Sequence, residues 1–165
     1  MKRKYQMLFI TILISAITHA QESFVKQSVY FELLGNGILY SFNYEKYVKP
    51  NISLRTGISV IPEQKTISGK KETLNSYLLP MMANYLIGKD CHKLELGAGV
   101  VCHYMLKTFK YNKISNKSGC NFYPTARFGY TFIPKSNGLT YKISYTPILD
   151  EHINHWVGIS FGYSF

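Results

Sequence analysis

Asp150, Glu151, His152 and His155 fall within six consecutive residues near the end of the chain. Two imidazoles and two carboxylates that close could ligate a divalent metal. A carboxylate orienting a histidine could also activate a nucleophile. His103 and Ser59 offer a second base and a second hydroxyl. Acyl hydrolysis needs hydroxyl, imidazole and carboxylate within hydrogen-bond reach of one another, and nothing in the spacing of these residues brings them together. Four polar side chains in so short a span are the composition of a solvated loop. They are read as one, and no catalytic residue, metal site or cofactor is assigned. Cys91, Cys102 and Cys120 are odd in number and irregular in spacing, without a Cys-x-x-Cys pair. They are read as unpaired thiols, with Cys102 to Cys120 the one bridge left open. Gly35-Asn36-Gly37 is read as a hairpin turn and not as a phosphate cradle.

The remaining chemistry is cationic. The 165 residues carry a formal net charge of +10. Lys65, Lys70 and Lys71 cluster in one polar stretch, and Lys107, Lys110, Lys113 and Lys117 in another. Such clusters attract anionic surfaces. No nucleic-acid motif accompanies them, and no nucleic-acid partner is expected.

Lys2, Arg3 and Lys4 precede an apolar run from Met7 to Ile14, broken only by Thr11. Ser15-Ala-Ile-Thr-His-Ala20 then places Thr18 and Ala20 where a signal peptidase reads. The run is well short of the roughly 20 residues of a membrane-spanning helix. Residues 1–20 are therefore expected to be a cleaved export signal, and 21–165 a single domain. That domain has no long apolar run, so an exported chain of this kind is secreted, periplasmic or an outer-membrane barrel.

Eight strand-like segments follow, at 28–34, 39–48, 52–61, 75–87, 93–106, 122–133, 139–148 and 157–165. Period-two alternation of side chains carries the assignment. In the last segment Val157, Ile159, Phe161, Tyr163 and Phe165 alternate with Gly158, Ser160, Gly162 and Ser164. In the fourth, Met81, Ala83 and Tyr85 oppose Pro80, Met82 and Asn84, and Pro80 suggests a bulge or irregularity. The connections after the second, fourth and sixth strands are short. The third and fifth, 62–73 and 107–121, are long polar loops, and 149–154 is a shorter one. Short turns at one end and longer loops at the other are the habit of outer-membrane barrels.

In most segments one face is continuously apolar and free of charge. The other carries Glu32, Glu45, Arg55, Glu95, Arg127 and Lys142, three acids and three bases. An eight-stranded barrel has an interior just wide enough for side chains to fill. Six ions that sum to zero suit such an interior, since an isolated buried ion costs several kcal/mol. The opposite arrangement, apolar faces in and charges out, would be a soluble lipocalin-like binder.

The segment Glu32-Leu-Leu-Gly-Asn-Gly-Ile-Leu-Tyr-Ser-Phe-Asn-Tyr-Glu45 and the alternating Ile159, Phe161, Tyr163, Phe165 ending resemble the small outer-membrane barrels of the OmpA/OmpX type, within the broad outer membrane protein β-barrel family. The resemblance covers about 28–165. It implies an all-β fold, an eight-stranded antiparallel up-and-down transmembrane β-barrel, in the bacterial outer membrane of a Gram-negative cell. It implies that Ile159, Phe161, Tyr163 and Phe165 form the signal presented to the barrel assembly machinery, and that the protein is a monomer. Some barrels of this size modify lipid A, but the His-x-Ser strand motif of the deacylases is missing. The expected function is a non-enzymatic integral barrel with a filled polar interior and a structural or surface-interaction role. A lipid A-modifying enzyme is the alternative. The seven loop lysines would then lie outside the cell, against outer-membrane lipid and the phosphates of lipopolysaccharide.

Overall fold

The computed structural model describes residues 25–67, 70–107 and 119–165. The proposed export signal, together with Lys110, Lys113 and Lys117, lies outside the described residues. The strands are β1 Gln27–Leu33, β2 Tyr40–Lys49, β3 Ile52–Ile67, β4 Lys70–Ile87, β5 His92–Lys107, β6 Gly119–Phe132, β7 Gly138–Tyr145, β8 Ile148–Leu149, β9 Ile153–Asn154 and β10 Val157–Ser164. Each long strand pairs antiparallel with its sequence neighbour. β1 then pairs with β10, Phe31 opposite Phe161, and closes the ring. The wall is an eight-stranded antiparallel up-and-down barrel of β1 to β7 and β10. β8 and β9 form a small hairpin on its rim.

The described chain begins and ends at one end of the barrel, where the backbone N–H groups of Lys26 and Gln27 donate to the Phe165 carbonyl. The three short turns lie at this near end, and the long hairpins lie at the far end. Side-chain faces follow the strand period. Val29, Phe42, Leu54, Met81, Leu96, Phe128, Ile143 and Phe161 are exposed on the outer wall. The inner face holds Ser28, Glu32, Asn43, Arg55, Asn84, Glu95, Arg127 and Lys142, all buried. The lipocalin-like arrangement needs the reverse.

Three local expectations are corrected. Residues 62–73 are not a loop, because β3 and β4 stay in register from Pro62 opposite Asn75 to Ile67 opposite Lys70. Likewise β5 and β6 remain paired to Met105 opposite Gly119, so 107–121 is shorter as a loop than its polarity implied. Backbone pairing continues there although the polar sequence lacks the apolar alternation that marks a strand. At Pro80 the expected irregularity takes the form of a lapse in the ladder to β3, between Thr56 and Ser59, beside a residue that has no N–H to give, while Pro80 stays opposite Val101 without a register shift. A register shift lies between Tyr47 and Lys49 of β2. Finally, β7 stops at Tyr145, short of the expected 148, and Pro147 separates it from β8.

The wall is uneven in height. β2 last pairs with β3 at Ile58, and β3 continues to Ile67. That extra length is about 30 Å at roughly 3.3 Å per residue. β6 likewise runs past Thr125, its last partner on the β7 side, to Gly119. β3 to β6 therefore rise as a four-stranded sheet above one side of the rim.

Candidate functional site

The interior is the most specific chemical feature of the molecule. Glu32, Glu45, Arg55, Glu95, Arg127 and Lys142 come from β1, β2, β3, β5, β6 and β7, one ion per strand. Among the described residues they are the only charged side chains that are buried. They join into a chain of alternating sign. Arg55 Nη2 meets Glu32 Oε2 at 2.5 Å, and Glu32 Oε1 takes Arg127 Nη1 at 2.8 Å. Arg127 Nε lies 3.2 Å from Glu95 Oε1, a charge contact without hydrogen-bond alignment. Glu95 Oε2 stands 3.4 Å from Lys142 Nζ, which also pairs with Glu45. Every carboxylate touches at least one cation, so no ion is left alone in the interior.

The two strands without an ion contribute polar partners. Asn84 on β4 donates to Glu45 at 3.3 Å, and Ser160 on β10 donates to Glu32 at 3.2 Å. Asn43 Oδ1 accepts from Arg55 Nε at 3.0 Å, and Ser53 donates to Glu45. Tyr30 lies between two cations, with Lys142 Nζ 4.9 Å and the Arg55 guanidinium 5.5 Å from its ring centre. These partners were missed in the sequence. Their signal was there, since Asn43, Asn84 and Ser160 share the strand parity of the ions.

Small residues make the room. A Cβ on Gly158 would come within 3.0 Å of Glu32 Oε1, and one on Gly162 within 2.3 Å of the Tyr30 Cβ. The small face of the terminal strand is thus the imprint of the side chains it covers.

Both ends of the plug are closed. At the near end Val25, Tyr47 and Leu86 pack together, with Ile133 against them. A hollow of 210 Å³ remains among Val25, Tyr47, Pro50, Asp90, Lys93 and Ile133 to Lys135. At the far end the expected Gly35-Asn36-Gly37 hairpin turn joins β1 to β2 as a 3-10 turn whose residues are buried. Asn36 is fully buried and donates to Met82 Sδ at 2.8 Å. Gly35 has φ +71°, a left-handed conformation that glycine adopts at little cost, and a Cβ there would meet Glu32 at 2.9 Å. Above the turn, Leu78, Val101 and Ile148 form an apolar cluster with Ile38, Ile61, Tyr123 and Trp156.

The other candidate residues do not assemble. Asp150, Glu151 and His152 are exposed, and His155 Nδ1 is hydrogen-bonded to the Tyr145 hydroxyl. Among the described residues no three His, Cys, Asp or Glu side chains converge as metal ligands. Ser59 and His103 both lie opposite Leu78, one on each side of β4, so two strand spacings, about 10 Å, separate them. Ser59 instead donates to the Gly37 carbonyl at 3.0 Å. The reading of three unpaired thiols is corrected, because Cys102 and Cys120 form a disulfide with Cα atoms 6.3 Å apart, and Cys91 alone is free. Register explains it: Cys120 faces Tyr104, two residues from Cys102 on the adjacent strand. Lys65 falls opposite Glu72 in the rising β3–β4 hairpin, Lys70 and Lys71 open β4, and Lys107 ends β5. Ile159, Phe161, Tyr163 and Phe165 all point outward.

The N-terminal β-barrel domain of OprF from Pseudomonas aeruginosa superposes with a TM-score of 0.59 at 14% identity, over 87% of this chain and 98% of that one. The fold is that of the small eight-stranded outer-membrane barrels. Looser similarity extends to Ail, the attachment invasion locus protein of Yersinia pestis, with a TM-score of 0.48 at 14% identity over 86% of this chain and 99% of that one. It extends also to the outer membrane protein AlkL, with a TM-score of 0.45 at 13% identity over 90% and 92%. No protein-family model and no curated sequence matches the chain.

Proposed function

We propose that the protein is an integral barrel of the bacterial outer membrane, non-enzymatic, closed to solutes, and active through the surface it raises at its far end. One observation carries the reading: an uncharged apolar outer wall around an interior that holds six paired ions. Water would solvate the opposite arrangement. Hydrocarbon accepts this one, because closure of the ring leaves no unpaired backbone edge at the level of the apolar band. The filled interior, capped by an inward turn, argues against an open pore.

In this reading residues 1–20 are the cleaved export signal, and Ile159, Phe161, Tyr163 and Phe165 are read by the barrel assembly machinery. The near end faces the periplasm. The sheet of β3 to β6 then stands outside the cell as a monomer's contact surface. Its lysines at 65, 70, 71 and 107, with 110, 113 and 117 beyond them, meet lipopolysaccharide phosphates. The test is fractionation of expressing cells, followed by gel mobility with and without boiling. The protein should stay with outer membranes after a carbonate wash and migrate faster unboiled. Recovery in the aqueous fraction without detergent would refute the reading.

A further inference from the structure

The near end carries a second charged surface, separate from the far-end lysines and from the interior ions. Lys26, Lys46, Lys49, Lys89, Lys93 and Lys135 are all at this rim, and among the acidic side chains of the described residues only Asp90 joins them. Among those described side chains, six positive groups against one negative leave five. They come from all around the rim: the segment preceding β1, the end of β2, the β4–β5 turn and the start of β5, and the β6–β7 turn.

Two of the six are engaged. Lys135 pairs with Asp90 at 2.5 Å, and Lys93 donates to the Gly88 carbonyl at 2.9 Å. Lys26, Lys46, Lys49 and Lys89 make no ion pair among the described residues. Their position relative to the wall is specific. Lys46 follows Tyr44 by two residues on the same outward face of β2, about 7 Å further along, and the exposed Lys89 lies in the turn just after the outward Ile87, where β4 ends. Tyr85, Tyr141 and Tyr163 are exposed on the outer wall near the same rim. Exposed rings and apolar side chains of the outer wall thus give way to ammonium groups at the rim, Tyr44 to Lys46 on β2 and Tyr85 and Ile87 to Lys89 after β4. Aromatic rings settle at a membrane interface, and a lysine one step beyond extends its ammonium to the headgroup level.

We infer that this rim is a binding collar for anionic phospholipid headgroups of the periplasmic leaflet. The inference rests on the membrane reading above, and adds a partner at the end opposite the lipopolysaccharide contact. The occupant follows from geometry, because the collar continues the apolar band and its ammonium groups lie where phosphates border hydrocarbon.

Native mass spectrometry of the full protein in uncharged detergent, mixed with equal phosphatidylglycerol and phosphatidylcholine of the same acyl chains, tests it. Phosphatidylglycerol should be retained preferentially. The variant K26Q/K46Q/K49Q/K89Q should lower that preference by about tenfold or more, each lysine near an anionic surface contributing roughly a factor of five. K65Q/K70Q/K71Q at the far end should leave it in place. Salt of about 1 M should abolish it in the unaltered protein, which needs no variant to fold. A preference unmoved in the near-end variant, or lost only in the far-end one, overturns the inference. Flotation with phosphatidylcholine vesicles separates the two readings: a protein that floats but holds both lipids equally loses only the collar, and one that does not float loses the membrane assignment and the collar with it.

Discussion

Glu32→Gln is the most informative perturbation of the interior. Glu32 is fully buried and, among the described residues, is the only carboxylate paired with Arg55, at 2.5 Å, while it also holds Arg127 at 2.8 Å. An amide keeps the shape and one acceptor but removes the charge. Arg127 retains Glu95 at 3.2 Å. Arg55 retains only the neutral Asn43 Oδ1, at 2.8 Å from Nη2. The interior then holds two negative and three positive groups in place of three and three. Removing one partner of a buried pair costs about 3–5 kcal/mol, because the remaining ion keeps its desolvation penalty. With a urea slope of about 2 kcal/mol per M, the unfolding midpoint should fall by roughly 1.5–2.5 M. The assay is reversible urea unfolding in lipid vesicles, followed by the mobility shift on unboiled gels. Glu32→Gln with Arg55→Gln restores neutrality, so the double variant should lose less than the sum of the single losses, with a coupling of about 0.5–3 kcal/mol. A midpoint unchanged by Glu32→Gln, or strict additivity of the pair, would show that the two groups do not meet inside the barrel.

On the outer wall, Phe161→Arg places a charge in the apolar band and should lower stability in vesicles by about 2–4 kcal/mol, read by the same unfolding assay. Peptide mapping without reductant should recover Cys102 and Cys120 in one cross-linked species and Cys91 as a free thiol. Cys102→Ser should cost about 3 kcal/mol for a loop of this size. At the near end, the hydrogen bond from Lys135, with its charge, holds the Asp90 carboxyl below the ordinary aspartate range. A depressed carboxyl pKa stabilises the fold above the unfolded-state value, and the contribution disappears as pH falls through the folded value. An NMR titration should therefore place the Asp90 midpoint below that of an isolated aspartate, and Lys135→Gln should raise it.

The sequence showed the outward and inward faces because a wall between apolar and filled polar media imposes a strict two-residue alternation. Ile159 and Phe161 against Gly158 and Ser160 report that directly, and so does the parity of Glu45, Arg55 and Lys142. The signal failed where that alternation stops. Beyond Pro62 the residues are mostly polar and read as a loop, although the backbone remains paired. It failed also where the information is held between strands. Cys120 lies near Cys102 only once β5 and β6 are in register. The inward turn at Asn36 depends on Met82, whose sulfur accepts from its amide, and on Thr125, whose hydroxyl donates to its carbonyl oxygen, partners that no local pattern pairs with it. The near-end lysines were in plain view, scattered along the chain from Lys26 to Lys135, but their grouping is a property of the closed ring.

A filled interior raises the question of whether the ions only need to sum to zero or must occupy these positions. Closure of a barrel leaves a choice of stagger, and a two-residue slip of one strand preserves every inward and outward face, so the apolar wall does not forbid it. The ion chain does, since such a slip moves a charge by about 7 Å, out of reach of its partner. The double substitution K142S/S144K separates the two cases. It keeps composition, net charge and face, and it shifts the ammonium toward the far end, away from Glu45. Ser144 is already buried, so the new lysine remains inside. If position matters, Glu45 is left as a buried carboxylate without a cation, and the variant should lose about 3–5 kcal/mol, as a broken pair does. Stability within about 0.5 kcal/mol of the original, the range of a neutral surface change, would mean that the interior demands only neutrality and that the turns set the stagger.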